Sequence, residues 1–192
     1  MDDLNAIQAR DHLELVERIL AESQQRLCAG GEYFVVWGLF SGGTTILLSL
    51  IGRGTLPPAA VWVAVASWIA CILFSIFRGR RLHAKSERQS LVQREFFNVL
   101  WLTIGLAFVA NVAAYRVFAG LASAAVWSFA GAIVLLYIGM HGNRRAQIAG
   151  VVVVVSIVVA NFVGTPSAAY ALAAGMIVGY AGFGLVELVS RG

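Results

Sequence analysis

FRGRRLHAKSERQSLVQREF, residues 77–96, is the one long polar interruption in a chain that otherwise alternates apolar runs with tight turns. Arg78, Arg80, Arg81, Lys85, Arg88 and Arg94 put six of the fourteen basic residues in this stretch. A loop of that kind between hydrophobic runs is one that a membrane retains on its cytoplasmic side. The orientation of everything on either side follows from it.

The rest of the composition agrees. Hydrophobic residues make up 59% and charged residues 12% of the 192, with a mean hydropathy of +0.80, against about 45–50% apolar and about 25% charged in soluble domains. The apolar runs predict six membrane spans: Tyr33 to Ile51, Ala59 to Phe77, Phe96 to Ala114, Leu121 to His141, Ala146 to Val163 and Ala168 to Val189. Each is near the roughly 20 residues that cross about 30 Å of hydrocarbon. The fold class is an all-α integral membrane bundle of three hairpins, with residues 30–192 as the transmembrane domain and 1–29 as a cytoplasmic amphipathic helix. Lys and Arg number 1, 6, 1, 2 and 0 along the five connections. The excess in the second and fourth predicts a multi-pass protein of the cytoplasmic (inner) membrane with both termini cytoplasmic. The net charge of +4 collects beside the spans, where it sets topology and meets anionic headgroups, so no direct nucleic-acid partner is expected. Cys28 and Cys71 make no disulfide framework. The charged first 28 residues do not resemble a cleavable signal, which leaves the first span to direct insertion.

Residues 4–27 keep a helical stripe, Leu13, Val16, Leu20 and Leu27, with Glu14 and Arg18, and Glu22 and Arg26, paired at i,i+4 on other faces. Six acidic side chains (Asp2, Asp3, Asp11, Glu14, Glu17, Glu22) stand against Arg10, Arg18 and Arg26. An anionic lipid surface does not attract such a segment. The stripe is therefore read as a protein-docking face, for the chain's own loops, a second copy in a homo-oligomer, or a cytoplasmic protein partner.

Other candidates each have two readings. Gly38 with Gly42, and Gly175 with Gly179, place small residues on one helix face, where backbones approach closely; a glycine-lined pore is the other reading. Asn111 and Asn161 lie at similar depths in their spans. They serve either interhelical hydrogen bonding or a solute path. Glu32, Glu95, Glu187 and His141 fall at cytoplasmic span ends, as interfacial charges or as a metal or proton site. Glu187 lies about one turn inside the last span and needs a partner such as an arginine of the basic loop. No nucleotide loop, GxSxG or HExxH is present, so no cofactor, metal or catalytic residue is assigned and the chain is read as non-enzymatic. The phrases PPAAVW (57–62), ASAAVW (122–127) and PSAAY (166–170) open the even spans and raise an internal repeat.

The acidic leader running into Glu32-Tyr33-Phe34-Val35-Val36-Trp37-Gly38, followed by six spans, resembles a group of small six-span bacterial membrane proteins of unknown function. The resemblance implies no activity and transfers no site residue. It favours the cytoplasmic partner, since some members are encoded beside small winged-helix regulators. Three functions are weighed: a regulatory or scaffold membrane protein acting through the leader and the basic loop, a small transporter or channel for a neutral or weakly polar solute, and, with the least support, an enzyme acting on lipid.

Overall fold

The computed structural model describes residue 14 and residues 31–83, 91–113 and 120–190. These form six helices: α1 (Gly31–Gly52), α2 (Val61–His83, entered through a 3₁₀ turn at Pro58–Ala60), α3 (Leu91–Ala113), α4 (Leu121–Met140), α5 (Arg144–Phe162) and α6 (Ser167–Val189). Among the described residues there is no strand. All six are long and apolar enough to cross a membrane, and the chain is a multi-pass membrane protein. Helices are required there because lipid offers no partner to an open backbone N–H or C=O.

The helices outrun the apolar spans at the basic end. α2 continues from Phe77 to His83, and α3 begins at Leu91 rather than Phe96, so part of the polar stretch is helical. Hydropathy marks where lipid ends, and a helix whose backbone bonds are already satisfied internally need not stop there.

Burial is very uneven. The share buried within the protein is 56% in α6, 33% in α4, 22% in α1 and in α5, 11% in α2 and 6% in α3. α6 is the central helix, packed by α1 and α5 and more lightly by α4; α2 leans mainly on α1, and α3 on α4. The even helices, which share an opening phrase, thus occupy three unlike positions and form no equivalent triad.

Small residues explain the centre. A Cβ added at Gly38 would fall 2.5 Å from the Ala181 backbone nitrogen, and one at Gly42 would fall 3.0 Å from the Ala173 carbonyl oxygen. On the α5 side, Gly175 is filled by Ser156, and Gly179 meets the Val153 side chain and the Ala149 carbonyl. Near the end of α6, Gly184 lies against the backbone of Gly31 and Val35. Lipid tails are as apolar as Leu, so close van der Waals approach rather than the hydrophobic effect holds such helices together. Within α6, Ile177–Gly182 forms a π turn that carries Tyr180, whose hydroxyl donates to the Ser128 carbonyl of α4 at 2.6 Å.

Candidate functional site

Two interhelical contacts of charged side chains lie at the end of the bundle where α1 starts and α6 stops. Glu32, in the first turn of α1, receives a two-pronged ion pair from Arg78 of α2, with Nε to Oε2 at 2.7 Å and Nη2 to Oε1 at 2.8 Å. Both side chains are partly exposed, 36% for Arg78 and 41% for Glu32. The planar guanidinium matches the carboxylate fork, which fixes direction as well as distance. Tyr33 follows, its ring edge-on to Phe74 with centroids 5.9 Å apart.

Glu187 is 7% exposed in the last helix. The Asn143 side-chain amide donates to its Oε1 at 3.0 Å, while Asn143 Oδ1 accepts the Ala146 backbone N–H at 3.1 Å and caps α5. One amide thus satisfies a helix N-terminus with its oxygen and a buried carboxylate with its nitrogen. In sequence, HGNRRAQ (141–147) reads as a basic turn between spans. An asparagine just before a helix start was the signal available; its bond to Glu187, 44 residues away, was not.

A third contact joins α3 to α4. The ring of Phe96 lies 6.4 Å from that of Tyr137, and the ring of His141 lies 4.5 Å from that of Tyr137. His141 Nδ1 is 2.9 Å from the Tyr137 carbonyl oxygen. Glu32, Glu95, Glu187 and His141 therefore share one end of the bundle, but Glu32 and Glu187 make separate interhelical contacts, whereas His141 meets Tyr137 of its own helix. Among the described residues, no group of three or more His, Cys, Asp or Glu is arranged to hold a metal ion.

Deeper in the bundle, Trp37 of α1 donates its indole N–H to Ser75 of α2 at 3.0 Å. Trp68 bridges Trp37 and Trp127, with centroids at 5.4 and 6.0 Å. The crevice beside them, lined by Trp37, Phe40, Ser41, Thr44, Trp68 and Cys71, has no room for a water molecule. It is a packing seam between α1 and α2.

The two intramembrane asparagines fall in different settings. Asn111 accepts from Ser123 of α4 through its Oδ1 and donates to the Ala107 carbonyl at 2.8 Å, so it ties the start of α4 to α3. Asn161 is exposed near the end of α5, its amide 3.5 Å from the Ile157 carbonyl of its own helix. They serve two separate places. Gly38, Gly42, Gly175 and Gly179 all lie at the close contacts of α6 described above. Leu13, Val16, Leu20 and Leu27 lie outside the described residues, as do 84–90 of the basic loop.

The fold and these contacts define a six-span helical membrane protein. No protein-family model matches the chain, and neither a curated protein nor a solved structure matches it.

Proposed function

We propose that this is a regulatory or scaffold protein of a cytoplasmic membrane, whose N-terminal segment and arginine-rich loop engage a cytoplasmic protein partner. In this reading the end of the bundle that carries Glu32, Arg78 and Asn143 faces the cytoplasm, as the distribution of Lys and Arg requires. The supporting observation is the ion pair between Glu32 and Arg78. It sets the point where the N-terminal segment joins α1 directly beside the point where α2 runs into the basic loop. Two cytoplasmic features distant in sequence therefore leave the bundle side by side. A partly exposed pair contributes only about 0.2–1 kcal/mol, so its role is alignment.

The interior fits a scaffold better than a conduit. The centre is filled by glycine contacts between α6 and its neighbours, and Asn111 is engaged with Ser123. The decisive experiment is affinity capture from solubilised membranes with the full chain, with the chain lacking residues 1–28, and with Leu13, Val16, Leu20 and Leu27 changed to Asp. The expected result is a protein retained only by the parent. Identical captured sets from all three would overturn the reading.

A further inference from the structure

The π turn Ile177–Gly182 divides α6, and the helix is seated on its neighbours on both sides of it. Before the turn, the Ala173 carbonyl lies over Gly42, and Gly175 meets Ser156. After it, Phe183 stands edge-on to Phe34 with centroids 5.1 Å apart, Gly184 lies against the backbone of Gly31 and Val35, and Glu187 bonds Asn143.

A π hydrogen bond reaches one residue further along the chain than an α bond, so the turn takes in one residue more than the helix around it. That extra residue decides which side chains the last turns of α6 present. In a continuous α-helix every residue after Gly182 would be rotated by about 100° and would take the place its successor now holds. Phe183 would then fall where Gly184 lies. A Cβ at Gly184 already stands 2.8 Å from the Val35 backbone nitrogen, so a phenyl ring cannot be seated there unless the start of α1 moves away. Val186 would replace Glu187 beside Asn143. Glu187, now 7% exposed, would move to the place of Leu188, which is 39% exposed.

One side chain fixes the turn to another helix. The buried Tyr180 hydroxyl donates to the Ser128 carbonyl at 2.6 Å, and Gly131 supplies the room, since a Cβ there would meet the Tyr180 hydroxyl oxygen. Away from this acceptor the phenol O–H would stand unpaired in an apolar interior, which is costly.

We propose that the π turn is a switch between two registers of α6, latched by Tyr180, and that its release turns Phe183–Val189 by one residue and unseats the start of α1. Either register satisfies the α6 backbone from within, as lipid requires, so the side-chain contacts named above decide between them. Packed helices pass between discrete arrangements of this kind rather than deforming continuously. The switch goes beyond the partner reading: it ties the centre of the bundle to the point where the N-terminal segment joins α1.

The test is the rate at which N-ethylmaleimide labels Glu187→Cys in the full chain, held in phosphatidylcholine nanodiscs, with Cys28→Ser and Cys71→Ala removing the other thiols. The latched register buries position 187 and the released one exposes it, so the rate follows the released population. Tyr180→Phe deletes the latching bond and should speed labelling about threefold. Gly131→Ala, whose methyl takes the place of the hydroxyl, should speed it at least as much. Deleting Gly182, which has open space around it, removes the extra residue and leaves a single register that keeps Gly184 on Gly31; Tyr180→Phe should then no longer change the rate. Labelling that stays at the parent rate with either substitution would overturn the proposal. So would an acceleration of the same size after the deletion, because α6 would then have loosened without changing register.

Discussion

α6 and α3 are both membrane-spanning helices of similar apolar character, yet 56% of one and 6% of the other is buried within the protein. The difference lies in shape. α6 reads SAAYALAAGMIVGYAGFGLVELV, and its small residues let α1 and α5 approach to backbone contact. α3 directs Trp101, Leu102, Leu106 and Phe108 outward, all more than half exposed. In lipid neither surface is penalised for being apolar, so the helix that ends up central is the one others can fit against.

The strongest way to break that comparison is to fill the contacts. Gly42→Leu places a side chain against Ile177 and the Ala173 carbonyl and should cost about 1–3 kcal/mol as overpacking. Its neighbour Gly43 and Gly105 of α3 have open space, so Gly43→Leu and Gly105→Leu should leave stability unchanged or slightly raised. Unfolding of the purified protein in mixed micelles measures all three; equal losses at Gly42 and Gly43 would show that contact with α6 is not what distinguishes the two positions. Next in size is Asn143→Ala, which removes the α5 cap at about 1 kcal/mol together with the bond to Glu187. Asn143→Ser keeps a capping oxygen but is too short to replace the amide, and should recover part of the loss in the same assay.

The smallest effects set core against rim. Tyr180→Phe deletes the bond to Ser128 in the centre, and Asn111→Ala deletes the bond to Ser123 between α3 and α4. Each should cost about 0.6 kcal/mol, the average for interhelical bonds in lipid. A much larger loss for Asn111→Ala would mean that the rim helices are held as firmly as the core, contrary to the packing.

Apolar runs made the six spans readable, since about 20 residues of hydrocarbon-compatible sequence have few other uses. The spacing of Gly38 and Gly42, and of Gly175 and Gly179, was equally readable as a face for close approach, but it could not say which helix would approach. The rank of the even helices was hidden, because PPAAVW, ASAAVW and PSAAY look alike whereas burial depends on what each helix meets. The helical extensions beyond Phe77 and before Phe96 were hidden too, because polarity reports the membrane boundary rather than the end of the helix. Asn143 and Tyr180 escaped for a third reason: each gains its role from a partner far along the chain, Glu187 in one case and Ser128 in the other.

The central claim, that α6 is enclosed by protein while α2 and α3 face lipid, is tested most directly by photolysis of a membrane-dissolved carbene reagent around the unmodified protein, with labelled peptides mapped by mass spectrometry. The account predicts heavy labelling of Val61–His83 and Leu91–Ala113 and sparse labelling of Ser167–Val189. Labelling of Ser167–Val189 as dense as that of the other two would contradict it.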